Sequence, residues 1–184
     1  MNTTRRLNLD VLGRIRTQLQ ERGIKRRLNT MPSFKYIDAS HAVLAETMAV
    51  VEEYGPLCEV MYLMMAADHR VVQAEREVLR GALDLISEGK VRTAHMEAML
   101  DAASRQLAAE GVDVRLAKVV RKLKRDPARA ELSVALAAAV ALADEKIVPE
   151  EQDLFMRLIR ALGISEERAN EILQQVEQSI TTGA

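Results

Sequence analysis

Apolar residues recur at intervals of three and four along most of the 184-residue chain, and no stretch alternates apolar and polar positions as a half-buried strand would. This spacing predicts helices, whose ends are marked by residues such as Ser40, Pro149 and Gly163. The predicted helices cover residues 40–54, 57–67, 74–86, 93–110, 113–126, 129–144, 149–162 and 165–180. The predicted fold class is therefore all-α, a bundle of about eight helices that follows an N-terminal segment.

One predicted boundary depends on a pair of helix breakers. Gly55 and Pro56 separate two apolar helical stretches. Proline lacks the backbone N–H that a helix interior requires, and its ring crowds the preceding turn. We therefore expect the first helix to end at residue 54 and a short second helix to begin at residue 57.

One nine-residue segment occurs twice, 76 residues apart. Residues 67–75 read Ala-Asp-His-Arg-Val-Val-Gln-Ala-Glu, and residues 143–151 read Ala-Asp-Glu-Lys-Ile-Val-Pro-Glu-Glu. An apolar helical stretch precedes each copy and another follows it. An internal duplication explains this most economically, with two pseudo-symmetric four-helix halves at about residues 38–111 and 112–184.

The residue types of the repeated segment have a structural explanation as a joint between two helices. Each copy carries a Glu in the first turn of the following helix, where negative charge favours the positive end of the helix dipole. Glu151 follows Pro149 and can reach back to cap exposed N–H groups. Val71 and Ile147 are expected to point inward and to fix the angle at which the chain enters the helix.

The same acidic residues also allow a functional explanation. If the two joints lie side by side, their carboxylates converge on a hard cation such as Ca²⁺ or Mg²⁺, which prefers oxygen ligands. The joints are too short for an EF-hand loop of about twelve residues. The candidate metal ligands are Asp68, Glu75, Asp144 and Glu151.

The repeated pattern Ala-Asp-x-Arg/Lys-Val/Ile-Val-x-x-Glu resembles that of the TerB-like, tellurite-resistance-associated family. The resemblance covers roughly residues 38–180. It implies a compact helical domain with two related halves and acidic turns that have been proposed to bind a divalent cation. It also implies a role as a scaffold rather than as a catalyst. The family pattern usually has Gly after the Asp, where this chain has His69 and Glu145.

The N-terminal segment, residues 1–37, differs in charge from the domain that follows at residues 38–184. Residues 1–35 carry nine Lys or Arg and two acidic residues, a net charge of +7, whereas the remainder carries 17 basic and 25 acidic residues, a net charge of −8. Leu7, Val11, Ile15 and Leu19 form one apolar helical stripe in this segment. A basic amphipathic helix of this kind docks on its own domain, on a protein partner or on an anionic membrane surface. The residues expected to contact a partner or an anionic surface are Arg5, Arg6, Arg14, Arg16, Lys25, Arg26 and Arg27.

Several other features narrow the class of protein. Residues 1–33 contain no aromatic side chain on which bases stack, which disfavours binding of single-stranded nucleic acid. No nucleophile–base motif, phosphate-binding loop or dinucleotide fingerprint occurs, which disfavours an enzyme. Cys58 and the Met61, Met64 and Met65 group are expected in the core. A second basic face, which is either solvated or a docking place for a phosphate-rich partner, comprises Lys118, Arg121, Lys122, Lys124 and Arg125.

These observations together favour a non-enzymatic scaffold or interaction module with a protein partner and no required cofactor. The alternative is a regulatory sensor that binds Ca²⁺ or Mg²⁺ at the acidic joints. The sequence lacks an apolar leader and an apolar run long enough to span a bilayer, so we expect a cytoplasmic protein. If the basic N-terminal helix contacts anionic lipid, the protein is peripheral to the inner membrane. A homo-oligomer is compatible with the sequence.

Overall fold

The computed structural model describes residues 14, 17–25, 41–68, 71–141 and 148–182. All regular structure within these ranges is helical, which confirms the all-α prediction. The helical residues 17–25 are named α1. The following helices are α2 (His41–Met65), α3 (Gln73–Ile86), α4 (Thr93–Glu110), α5 (Val112–Leu123), α6 (Pro127–Ala141), α7 (Pro149–Leu162) and α8 (Glu166–Thr182).

Two helices form the centre of the bundle. Helix α2 packs against α3, α4, α5, α6 and α7, and helix α6 packs against α2, α3, α5, α7 and α8. Every residue of α6 from Ser133 to Ala141 is buried, which suits its alanine-rich sequence because small side chains let neighbouring helices approach on all sides. The buried Ser133 hydroxyl donates a hydrogen bond of 2.7 Å to the carbonyl of Ala130, so its polar group is satisfied within the helix.

The predicted helix break at Gly55-Pro56 is wrong, because α2 continues through both residues. Gly55 has no Cβ, which removes part of the clash that proline imposes on the residue before it. The buried stripe also continues in phase across the break, through Val50, Tyr54, Leu57 and Met61. Burial on one continuous face therefore outweighs the local cost of the proline. The Met61, Met64 and Met65 group is fully buried on this helix, as predicted.

As a result, the described residues between 41 and 110 form three helices rather than four, whereas the described residues between 112 and 182 form four. Contacts recur in matching form in the two parts: α2 packs on α3 and α4, and α6 packs on α7 and α8. The described residues of the first half therefore do not form the predicted four-helix unit, and pseudo-symmetry of the two halves stays a prediction.

Helix α1 lies directly against α3 through two glycines. A Cβ atom built on Gly81 would lie 1.8 Å from the carbonyl oxygen of Leu19, and one built on Gly23 would lie 1.8 Å from the carbonyl oxygen of Glu77. Such distances mean that the two backbones touch, as in close helix crossings where Cα–H groups approach carbonyl oxygens. Leu19 is 2% exposed at this crossing. The described part of the N-terminal segment is therefore packed on the domain.

No helix in the described ranges has the length and apolar character needed to cross a membrane.

Candidate functional site

The first repeated joint connects the end of α2 to the start of α3. The amide of Ala66 donates to the carbonyl of Tyr62 at 3.0 Å, so the last turn of α2 is closed in the helical manner. At the other side, Glu75 Oε2 accepts a hydrogen bond of 2.8 Å from the amide of Val72. Glu75 lies at the third position of α3 and is 3% exposed. Its carboxylate therefore caps an N–H group that the helix cannot satisfy itself.

The second joint repeats this arrangement at the start of α7. Glu151 Oε2 accepts a hydrogen bond of 3.1 Å from the amide of Val148. Glu151 is also the third residue of its helix and is 4% exposed. Pro149 occupies the first position, where no N–H is needed. The capping role expected for Glu151 is confirmed, and Glu75 has the same role.

A third helix uses the same device outside the repeated segment. At the start of α4, the amide of Arg92 donates to His95 Nδ1 at 3.3 Å, and His95 is again the third residue of its helix. His95 is buried but belongs to neither joint. A side chain that reaches back from the third position is thus a general way of starting a helix in this bundle, and it requires no ligand.

The four candidate metal ligands are only partly within the described residues. Asp68, Glu75 and Glu151 are described, whereas Asp144 lies in residues 142–147, outside the described ranges. Among the described side chains, no three His, Cys, Asp or Glu residues are grouped so as to hold a metal ion. A site completed by Asp144 stays a prediction.

The expectation that Val71 points inward is wrong. Val71 and Val72 are 39% and 36% exposed, so neither is a core residue. The capping bond made by Glu75 fixes the entry to α3 instead, which leaves the Val71 side chain at the surface. Ile147, its counterpart in the second joint, lies outside the described residues.

Val71 lines an open groove of about 670 Å³, named here the joint groove. The groove runs from the end of α2 and the first joint, past the junction of α4 and α5, to the first turns of α7. Its apolar walls comprise Tyr62, Leu63, Ala66, Ala67, Val71, Leu107, Ala108, Val112 and Leu154. The other described residues that line it are Ser104, Gly111, Glu150, Asp153 and Arg157.

The described rim of the joint groove carries more acidic than basic side chains. Among the described residues that line the groove, Glu150 and Asp153 contribute two carboxylates, whereas Arg157 is the single cation. Arg157 Nη2 is hydrogen-bonded to Asp113, and Arg157 Nη1 lies 3.7 Å from Asp153. Because Arg157 is already engaged by two carboxylates, the described part of the rim offers negative rather than positive charge to a molecule that approaches it.

The basic residues proposed from the sequence as a contact surface are spread over described and undescribed positions. Arg14 and Lys25 are exposed. Arg22, another basic residue of the segment, donates from Nε to Asp84 Oδ2 at 2.7 Å and so helps to hold α1 on α3. Arg5, Arg6, Arg16, Arg26 and Arg27 lie outside the described residues.

A partly buried ion-pair network, which the sequence does not reveal, ties α5 to its neighbours. Arg115 donates from Nε to Glu59 Oε1 of α2 at 2.7 Å and from Nη1 to Glu110 Oε2 of α4 at 3.1 Å. Lys118 Nζ also donates to Glu110, at 2.8 Å. Hydrogen bonds from Lys118 and Arg115 hold the pKa of Glu110 below its usual value. The three helices are only brought together by the fold, and nothing in the spacing of these residues signals the network.

Cys58 is fully buried in α2, as predicted. Burial raises the pKa of its thiol to about 12, so the reactive thiolate is scarcely populated near neutral pH. The thiol therefore acts as a small apolar side chain in the core.

Comparison with known proteins adds one match. The family model described as "Tellurite resistance protein TerB" matches residues 57–175. No curated protein and no solved structure matches the chain. The matched region begins in α2, contains both acidic joints and the joint groove, and ends in α8, and it covers well over half of the chain. This protein belongs to the TerB family of tellurite resistance proteins.

Proposed function

We propose that this protein is a non-enzymatic interaction module, and that its joint groove binds a basic amphipathic helix of a partner protein. The observation that carries the proposal is the combination of an open apolar wall with an acidic rim. Val71 is 39% exposed, and Tyr62 and Leu107 are half-buried on the same wall. Apolar side chains that converge in one groove mark a docking place more often than single exposed ones do.

The rim selects among partners by charge. Glu150 and Asp153 line the groove, and Arg157, the one cation among its described lining residues, is engaged by Asp113 and Asp153. Complementary charge at an interface raises association rates and disfavours partners of like charge. An amphipathic helix with apolar residues on one face and Lys or Arg beside them satisfies both the walls and the rim.

The proposal is tested by the binding of a synthetic helical peptide with a leucine stripe flanked by lysines, followed by fluorescence anisotropy. A peptide with glutamate in place of each lysine serves as the charge control. We expect the lysine peptide to bind at this groove, so that its affinity depends on Val71 and Glu150, whereas neither residue should contribute to any binding of the glutamate peptide. Val71→Lys and Glu150→Lys should each weaken the lysine peptide, because both add positive charge at the groove.

The matched control is Met48→Lys. Met48 is 63% exposed on α2 and lies outside the groove, so this variant makes the same apolar-to-lysine change elsewhere. If Met48→Lys and Val71→Lys weaken binding of the lysine peptide equally, only the net charge of the protein matters, and the joint groove is not the binding site. Self-association of the protein that Val71→Lys abolishes would identify the occupant as a second copy instead.

We also propose that the basic N-terminal residues contact a protein partner or an anionic membrane surface. Arg14 and Lys25 are exposed, which suits such a contact, whereas α1 itself is held on α3. Vesicles that contain anionic lipid should bind the protein at low salt and release it at high salt, because such contacts are screened. Charge reversal at Arg5 and Arg6 should reduce the binding, and unchanged binding would contradict this part of the proposal.

The alternative function, a sensor of Ca²⁺ or Mg²⁺, has one observation in its favour. Glu75 and Glu151 are buried at equivalent positions of the two joints. The same burial accompanies their capping bonds, and His95 caps α4 in the same way without a carboxylate. We therefore place the interaction function first.

A further inference from the structure

A second groove lies on another face of the bundle, between α2, α4, the end of α5 and the start of α6. Its volume is about 530 Å³, and it shares no residue with the joint groove. It is named here the basic-rim groove. Its floor and its charges differ from those of the joint groove, so the two grooves suit different ligands.

Small and apolar residues form the floor of the basic-rim groove. Met99 and Ala103 of α4 are 4% and 5% exposed, and Ala102 is half-buried beside them. Gly55 of α2 lines the opposite side, and a Cβ atom added there would meet no atom within 4 Å. The floor therefore has room for apolar side chains that come from outside the domain.

Half of the six described charged residues that line this groove have partners. Arg129 lies 3.5 Å from Glu53 and 3.7 Å from Asp126. Asp126 Oδ1 accepts a hydrogen bond of 3.0 Å from the amide of Ala128, so it also caps the start of α6. Glu59 is buried and accepts from Arg115. These groups hold the helices together and leave little charge for a ligand.

Three exposed groups on the rim differ from the rest. Lys122 and Arg125, at the end of α5, make no ion pair or side-chain hydrogen bond within the part of the chain that the structure describes, and the same holds for Glu52 across the groove. Among the described groups without partners, two cations thus lie at one edge of the groove and one carboxylate, Glu52, at the other. An occupant with an anionic side and an apolar side fits when its carboxylates face the end of α5.

We propose that the basic-rim groove binds an acidic amphipathic segment of a second protein partner, with its apolar side chains over Met99, Ala102 and Ala103 and its carboxylates at Lys122 and Arg125. The proposal extends the interaction function to a scaffold with two sites of opposite charge preference. It uses none of the residues of the joint groove, so either proposal can fail alone.

The position of Lys122 in the last turn of α5 also has a structural explanation, and the experiment must distinguish that explanation from ligand binding. Cations are favoured at helix C-termini whether or not they bind a ligand. Arg121 shares that last turn, and Lys124 follows it, but neither lines the groove. The two pairs therefore differ in position and carry the same charge, which provides a matched control.

The test uses a synthetic helical peptide with a leucine stripe flanked by glutamates, with binding followed by fluorescence anisotropy. The double variant Lys122→Glu/Arg125→Glu should weaken binding by about fivefold or more, because two attractive contacts become repulsive. The control variant Arg121→Glu/Lys124→Glu should change the affinity for the peptide by less than about twofold, because these residues act on the peptide only through screened, long-range charge. Glu52→Lys should strengthen binding, and a purely structural role of Glu52 gives no reason for a gain.

Ala102→Met provides a second readout that leaves the rim charges in place. Ala102 is half-buried on the groove floor, and methionine is a good helix former, so the change fills the groove with little cost to α4. Weaker binding of the glutamate peptide to this variant supports the site. Equal loss in both charge-reversed pairs, or no binding of the peptide to the intact protein, overturns the proposal. Tighter binding of a single-stranded oligonucleotide than of the peptide, lost in both pairs, overturns it in favour of general attraction of phosphates.

Discussion

The capping bonds of Glu75 and Glu151 allow the acidic joints to be tested as structural elements. Replacing either Glu with Ala leaves the amide of Val72 or Val148 without its acceptor in a partly buried place. Loss of a cap of this kind costs about 0.5–2 kcal/mol, and loss of negative charge at a helix start costs about 0.3–1 kcal/mol more. We therefore expect each Glu→Ala variant to lose on the order of 1–3 kcal/mol of unfolding free energy.

The conservative variant separates the hydrogen bond from the charge. Glu75→Gln and Glu151→Gln keep an oxygen that accepts from the N–H group, and Gln serves at this position in many helix starts. These variants should lose less than the alanine variants, with the charge at the helix start contributing about 0.3–1 kcal/mol. Urea-induced unfolding followed by circular dichroism measures each difference.

Divalent ions decide between capping and ion binding. The series is measured in chelator and then with Ca²⁺ or Mg²⁺ added at millimolar concentration. If the joints are structural, the loss in each variant is the same under all conditions. If an ion binds the folded wild-type protein and its free concentration is one hundred times its dissociation constant, the unfolding free energy rises by about 2.7 kcal/mol. A stabilisation of that order that both Gln variants abolish would refute the capping account.

Three further predictions concern the core and the helix contacts. Gly81→Ala should destabilise the protein by about 1–3 kcal/mol, because its Cβ would lie 1.8 Å from the Leu19 carbonyl oxygen. Thermal unfolding measures the change in stability. The stabilisation that is usual for Gly→Ala within a helix would contradict the close crossing of α1 and α3. Cys58 should resist alkylation in the native state at mildly alkaline pH, because burial raises the pKa of its thiol to about 12, and it should react once denaturant exposes it. Mass spectrometry detects the alkylated protein. Rapid labelling of the native protein would contradict the burial of this thiol. A hydrogen bond from Arg168 lowers the pKa of Glu131, so the folded protein binds fewer protons there than the unfolded chain and gains stability above the usual carboxyl pKa that is lost as the pH falls. Arg168→Met should therefore shift acid unfolding to higher pH, and an unchanged midpoint would remove the role of this pair.

The helix ends that local chemistry sets are those that sequence reasoning located best. Helices α4 and α7 begin and end at the predicted residues, and α8 begins after Ser165, whose Oγ accepts from the amide of Arg168 at 3.1 Å. Their caps lie within a few residues of the ends they define, so the sequence alone contains the information. The same holds for Glu151, whose capping bond joins positions three apart.

The failures arise where distant parts of the chain decide the outcome. Gly55-Pro56 is a strong local signal for a helix end, but burial of a continuous α2 face against α4 and α6 outweighs it. Val71 has the apolar character of a core residue, and only the assembled fold shows that no neighbour covers it fully. The Gly23–Gly81 crossing likewise depends on which helix α1 meets.

Neither groove is visible in the sequence, because each is assembled from several helices. The joint groove combines residues as far apart as Tyr62 and Arg157, and the basic-rim groove combines Val51 with Arg129. The charge of a groove also depends on which cations already have partners. Arg157 and Lys122 are both basic in the sequence, yet the first is engaged by carboxylates and the second makes no ion pair in the described part of the chain.

The most direct test of the interaction function is to map where the lysine-rich amphipathic peptide binds, by NMR titration of the isotope-labelled 20.5 kDa protein. The account predicts that the largest chemical-shift changes fall at Val71, Leu107 and Val112 and in the first turns of α7. Small changes are expected near Met48 and at the end of α5. Changes centred away from the joint groove, or spread evenly over the acidic surface, would contradict the claim that this groove is the docking site.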